Sequence, residues 1–282
     1  ALSGRSLFVN TYLRRAAVTL TAVSMAAVLA ACGEAGSSGD KSDSGDKDKG
    51  FKIGLALPEN QTARYEKFDK PLIEKKIKEL CADCTVEYVN AKQDAATQQQ
   101  QVDSLITKGV KVLILDAVDS KAIASSVKKA KDAGIPVVAY DRLAEGPIDA
   151  YTSFDNVTVG KTQGEALLEA LGNKKNAQIV MMNGSPTDPN AGDFKKGALS
   201  VLEGKVKIGK SYDTTDWKPE EANKNMSGAI SALGKDKIDG VYSANDGMAS
   251  GIISALKAAG VSPLPPITGQ DAELAAVQRI IA

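Results

Sequence analysis

The sequence predicts an α/β protein built as two similar, doubly wound parallel-sheet lobes joined by a hinge. Three observations predict it. From Phe51 onward, short β-rich apolar runs alternate with segments of helical period, and such alternation implies parallel strands linked by right-handed crossovers. Runs such as Ile135-Pro136-Val137-Val138-Ala139-Tyr140 are apolar almost throughout, the pattern of a strand buried on both faces. The runs end in polar residues, and in open α/β sheets ligands bind beyond the carboxyl ends of the strands.

The elements follow in order. Residues 51–57 form the first predicted strand. Its exit, Pro58-Glu59-Asn60-Gln61-Thr62-Ala63-Arg64-Tyr65, is a polar loop entering a helix that runs to about Leu80. Residues 86–89 form the second strand. Asp94 is placed to cap the next helix, whose Val102, Leu105 and Ile106 share one face. Residues 110–115 form the third strand, and a helix over about 121–133 ends where Gly134 is suited to terminate it. The fourth strand closes on Asp141-Arg142. A carboxylate and a guanidinium at such a strand end read equally as a ligand clamp or as a surface ion pair.

Tyr151-Thr152-Ser153-Phe154-Asp155-Asn156 is an extended connection, after which the alternation restarts. It gives a helix over 159–171, a strand over 177–182 and the exit loop Asn183-Gly184-Ser185-Pro186-Thr187-Asp188-Pro189-Asn190. A helix, the strand Val206-Lys207-Ile208 and a polar loop from Tyr212 to Trp217 come next. They are followed by a helix to about Leu233, a strand over 238–246 and a helix over 247–259. Ile267-Thr268-Gly269-Gln270-Asp271 opens a last helix. The expected lobes are therefore 51–154 and 155–282, with their polar strand exits facing one another across a cleft.

Composition narrows the function. The chain has 282 residues, 43% hydrophobic and 25% charged, with formal net charge zero; that balance argues against a nucleic-acid or anionic-membrane surface. It contains no histidine, which removes the commonest general base and the usual triads and zinc sites. No metal or cofactor is expected.

The N-terminus reads as an export signal over residues 1–32. Arg14-Arg15 precede an apolar segment from Ala16 to Ala31, a positive region followed by a hydrophobic one. The segment closes on Leu29-Ala30-Ala31-Cys32-Gly33, which resembles the bacterial lipoprotein processing site and implies lipidation of Cys32. A simple signal peptide and a membrane-anchoring helix are the competing readings. Residues 33–50 are Gly, Ser, Asp and Lys with almost nothing apolar and read as a flexible tether spanning roughly 23 Å. Removal of the leader leaves 32 basic against 35 acidic residues.

Cys81 and Cys84 lie between a helix and a strand. A turn of that length can suit a disulfide, and export would place it where such a bond persists. A structural clip is the favoured reading and a reduced pair the alternative.

Further stretches carry a family resemblance: Lys52-Ile53-Gly54, Arg64 followed by an aromatic, Ala139-Tyr140-Asp141-Arg142, Ser153-Phe154-Asp155-Asn156, Gly184-Ser185-Pro186, Trp217, Ser243 to Asp246, and Gly269-Gln270-Asp271-Ala272. Together they resemble the type I periplasmic-binding-protein family of ribose and xylose receptors, over 51–282. Arg64 with its aromatic and the Ser-Pro-x-Asp-x-Asn loop point within that family toward receptors for D-xylose. The resemblance implies two Rossmann-like lobes, a monosaccharide ligand, and delivery to an ABC permease and its ATPase by a monomer, which the lipidation of Cys32 would anchor at the membrane. It implies ligand contacts from Arg64, Asp141 and Arg142 on one lobe and from Asp188, Asn190, Trp217, Asn245 and Asp271 on the other. Planar Asp, Asn and Arg groups bind adjacent sugar hydroxyls in pairs, and a tryptophan face suits the C–H face of a pyranose. Plainer roles compete: Asp188 and Asn190 as turn or cap residues, Asp271 as an N-cap, Trp217 as core, Arg64 as a solvent-facing helix residue. The family pattern continues past Ala282 with a further strand through the hinge and closing elements for both lobes, so the chain is expected to be C-terminally truncated and to leave apolar faces uncovered.

Other functions fit less well. A sugar-responsive repressor would need an N-terminal helix-turn-helix where an export signal stands. A sugar-converting enzyme needs a carboxyl of raised pKa, and the adjacent Arg142 favours a charged Asp141. A chemotaxis or sensor-kinase receptor shares the sugar-binding step, as does a receptor for ribose, arabinose or glucose.

Overall fold

The computed structural model describes residues 50–282, Asn173 excepted. The expected signal segment, Cys32 and all but the last residue of the expected tether lie outside the described residues. Two parallel sheets organise the rest. The first holds β1 (Lys52–Leu57), β2 (Thr85–Asn90), β3 (Val112–Leu115), β4 (Val137–Tyr140) and β5 (Ala150–Thr152) in the order β2-β1-β3-β4-β5. The second holds β6 (Gln178–Asn183), β7 (Lys207–Asp213) and β8 (Gly240–Ser243) in the order β7-β6-β8. In each sheet the chain starts centrally, steps to one side and then crosses to the other. This reversal opens a crevice at the carboxyl ends of β1 and β3 in one sheet and of β6 and β8 in the other.

Apolar side chains account for the placement of the central strands. Five of the six β1 residues are buried, as are all four of β8. The first sheet packs chiefly against α2 (Ala95–Thr107) and α3 (Ala124–Asp132), around Val102, Leu105, Leu113, Leu115 and Val127. The second packs around Ile179, Met181, Phe194, Trp217, Met226 and Ile252, with α4 (Asn156–Leu171), α5 (Pro189–Leu202), α6 (Pro219–Leu233) and α7 (Asp246–Ala258) supplying the helical side of that core. Helices α4 and α5 touch through glycine: a Cβ at Gly160 would stand 1.9 Å from the Phe194 carbonyl oxygen, and one at Gly197 1.9 Å from that of Val157.

The capping chemistry matches the sequence at two places. Asp94 accepts the Thr97 amide at 2.6 Å and starts α2. Gly134, at φ 73°, follows the end of α3 in the left-handed conformation that glycine tolerates.

Several expected boundaries move. The helix expected after the first strand divides into a π-helical turn, Tyr65–Asp69, and α1 (Lys70–Leu80). The connection near Phe154 contains β5, an edge strand paired with β4 and, at three exposed residues, too short to read as a strand. The last helix, α8 (Leu274–Ile281), begins after Glu273, not at Asp271. The Asp246 carboxylate accepts the Glu273 amide at 2.9 Å and fixes that later start, while Ile267 joins β8 through a bridge to Val241. Cys81 and Cys84 form a disulfide with Cα atoms 5.3 Å apart. Helix α1 buries none of its side chains, and Leu72, Leu80, Ile280 and Ile281 are exposed.

Candidate ligand-binding site

The strand exits of both sheets converge on one narrow cavity. Its wall includes all eight residues the sequence singles out: Arg64, Asp141, Arg142, Asp188, Asn190, Trp217, Asn245 and Asp271.

The first jaw is assembled after β1 and β4. Arg64 precedes the π turn and pairs with Asp69 at 2.8 Å and with Asp141. Asp141 sits at φ 60°, a conformation that turns the chain sharply off β4. Its carboxylate also accepts the Tyr65 hydroxyl at 2.8 Å. Tyr65 in turn accepts Arg142 Nη2 at 3.3 Å, and the Arg64 guanidinium lies 4.7 Å from the centre of its ring, within cation–π range. One aromatic residue thus spaces the two arginines.

The second jaw grows from the carboxyl ends of β6, β7 and β8. Asp188 caps α5 by accepting the Asn190 amide at 2.9 Å, and its other oxygen accepts Trp217 Nε1 at 3.2 Å. Asp188 therefore caps its helix with one carboxylate oxygen while the other faces Trp217 and Arg142 at the cavity wall. Asn190 is oriented by Asn156, which donates to its side-chain oxygen at 2.9 Å. Asn245 caps α7 through the Met248 amide at 2.9 Å while facing the cavity. Trp217 ends a short 3₁₀ turn and packs edge-to-face on Phe194 at 6.3 Å. Gly184 admits its ring: a Cβ there would lie 2.0 Å from the indole.

The jaws touch. Arg142 Nε is 3.0 Å from Asp188 and 3.6 Å from Asp116, at the exit of β3. Asn190 donates to the Asp141 carbonyl at 3.2 Å, and Arg64 Nε lies 3.7 Å from Asp271. Arg142 is only 4% exposed, and among the described residues its Nη1 has no hydrogen-bond partner, nor does either oxygen of the fully buried Asp116, whose one charged contact is the longer ion pair with Arg142. Such orphaned groups are costly unless something else satisfies them.

Burial shapes the ionisation of this region. It raises the Asp116 carboxyl well above its ordinary range, reinforced by Asp141 and opposed by Arg142. It raises Asp188 against the pull of Arg142. Burial also pushes Asp271 up to about 6, with Arg64 pulling it down and Asp141 pushing it up. Glu273 reaches about 7 through burial, with Asp246 and Asp271 adding repulsion. The folded protein therefore holds these protons more tightly than the unfolded chain. The resulting stability is complete below the unfolded carboxylate range and is lost as pH rises through about 6 to 7. The urea midpoint of the ligand-free protein is expected to fall between pH 5 and pH 8, and Asp271→Asn to flatten part of the fall. A midpoint that holds or climbs over that interval contradicts the assignment.

Tyr65, Thr62, Phe194 and Gln270 also line the cavity. Tyr65 is the aromatic of the Arg64 motif, but its role in separating two guanidiniums needs the fold. Phe194 stands four residues after Asn190, on the same helical face, and that spacing is a usable signal. Asp69, Asp116 and Asn156 act behind the wall and are recognisable only in three dimensions. Among the described residues, no group of three or more His, Cys, Asp or Glu is arranged to hold a metal ion. The cavity instead offers planar, mutually oriented hydrogen-bonding groups beside aromatic rings, an arrangement fitted to a small polyhydroxylated molecule.

Comparison with known proteins extends this picture. The family model described as "Periplasmic binding protein domain" matches residues 53–282. The D-xylose-binding periplasmic protein of Escherichia coli (strain K12) is 38% identical over 240 residues, covering 83% of this chain and 71% of that protein. The multiple sugar-binding periplasmic receptor ChvE of Rhizobium radiobacter is 36% identical over 256 residues, with 83% and 71% covered. Among solved structures, an ABC transporter solute binding protein from Clostridium phytofermentans with bound β-D-glucose superposes with a TM-score of 0.76 at 31% identity, covering 82% of this chain and 76% of that one.

Proposed function

We propose, from the premise that this chain belongs to the periplasmic binding protein family, that it captures a monosaccharide between its two lobes and delivers it to an ABC permease. D-Xylose is the first candidate ligand. The observation that carries this reading is the two-sided cavity, in which both sheets contribute planar polar groups and Trp217 and Phe194 supply aromatic surface. Two arginines and three aspartates line it: Arg64, Arg142 and Asp141 on one side, Asp188 and Asp271 on the other. That near balance suits a neutral sugar and disfavours an anionic one such as a uronate. The role is carriage, with no chemistry done on the ligand.

The lobes extend over 51–154 and 155–282 and close by bending near Phe154, which is 70% exposed beside the edge strand. Closure brings Arg142 to Asp188 and Arg64 to Asp271, so the contacts between jaws belong to the closed state. A second reading, a receptor for another neutral monosaccharide such as glucose, is favoured by the breadth of ligands named for the relatives. A thermal-shift screen of neutral monosaccharides on the mature protein tests both. Stabilisation by D-xylose above all others supports the first reading, and stabilisation by none rejects both.

The export segment gives the protein its place. Cys32 is lipidated and holds the receptor on the outer face of the cell membrane through the 33–50 tether, and the Cys81–Cys84 clip suits that oxidising side. Cys32→Ser is expected to abolish metabolic labelling by a radiolabelled fatty acid; label retained by the variant contradicts the anchor.

A further inference from the structure

Asp69 lies behind the cavity wall, yet it is tied to a residue that forms the wall. Its carboxylate receives Arg64 Nη1 at 2.8 Å. Arg64 and Asp69 are five residues apart. In an α-helix, five residues wind through about 500°, which would leave the two side chains about 140° apart. Here the chain takes a π turn, and the Lys70 amide donates to the Tyr65 carbonyl five residues back. The wider winding of that turn brings Arg64 and Asp69 to one side. π turns are rare and frequently mark functional sites. Held in this way, Arg64 reaches Asp141 on its own lobe and lies 3.7 Å from Asp271 on the other.

We infer that Asp69 is a positioning residue for ligand capture: through the π turn it fixes the Arg64 guanidinium in the orientation that spans the cleft. Asp69 acts only through Arg64, since its own side chain is absent from the cavity wall. The inference rests on the sugar-binding reading of the cavity, but its first consequence appears without any sugar. A charged, planar partner removes the freedom of a long side chain before the ligand arrives, and this preorganisation is what raises affinity.

The test uses the intact chain and Asp69→Asn, which keeps the shape and removes the charge. In the ligand-free protein, the Arg64 guanidinium is expected to give slowly exchanging NMR signals that collapse in the variant. Unchanged signals overturn the inference whether or not a sugar binds. With D-xylose as the probe, Asp69→Asn is expected to weaken binding about tenfold in the native background and less than about twofold when Arg64→Ala is already present. Equal losses in both backgrounds would mean a general structural role and also overturn it. If the native chain binds no sugar while its Arg64 signals still depend on Asp69, the functional reading fails and the positioning role stands.

Discussion

Arg142→Met is expected to destabilise the protein by about 3 kcal/mol, the lower part of the range for breaking a buried ion pair. Arg142 stands between two carboxyls, Asp188 at 3.0 Å and Asp116 at 3.6 Å, and all three are buried. Methionine restores much of the packing volume, so the loss isolates the charge. The lower part of the range applies because the two carboxyls escape by taking up protons. Both already sit above their ordinary range through burial, with Arg142 the main influence holding them down. Without it, their folded-state values rise further above the unfolded ones. The variant's stability is then retained at low pH and lost as pH rises, so its deficit should be larger at pH 8 than at pH 5. Urea unfolding at the two pH values reads this directly. A deficit under about 1 kcal/mol at pH 8, or a larger one at pH 5, contradicts the network. Sugar binding should be lost as well, since Arg142 is the point where the jaws meet.

Trp217→Ala is expected to weaken monosaccharide binding at least about tenfold, or about 1.4 kcal/mol. The indole lines the cavity, rests edge-on against Phe194 and donates through Nε1 to Asp188. Alanine removes a flat apolar surface and leaves one Asp188 oxygen without that donor. Trp217→Phe separates the two effects: it keeps a ring but loses the N–H, and its affinity should fall between those of the native protein and the alanine variant. Calorimetric dissociation constants order the three. Equal constants for the native and alanine forms would remove Trp217 from the site.

The two-lobed architecture was legible because burial on both faces forces nearly continuous apolar runs, as in β1 and β6, and because Asp94 and Gly134 chemically mark the ends of their helices. A cleft of polar loops was legible because strand exits of a parallel sheet share one edge, while the choice of Arg64, Asp141, Asp188 and Asp271 within those loops came from the family resemblance. What escaped was set by geometry that no local pattern encodes. The π turn at Tyr65–Asp69 has the composition of an ordinary helix start, and the pairing of Arg64 with Asp69 and Asp141 that accompanies it is visible only in three dimensions. The strand β5 is three exposed residues whose conformation is imposed by β4. Asp116 reads as a polar strand exit, and only its complete burial beside Arg142 reveals a carboxyl inside the charge network. The start of α8 was misplaced because Asp246, twenty-seven residues before Glu273, caps the later position.

The most direct test of the account is calorimetric titration of the intact, mature protein with D-xylose at neutral pH. The account predicts saturable binding of one sugar per chain, lost in Arg142→Met and weakened in Trp217→Ala. An absence of binding heat for D-xylose and for other neutral monosaccharides at several temperatures, by a protein that unfolds cooperatively, would contradict it.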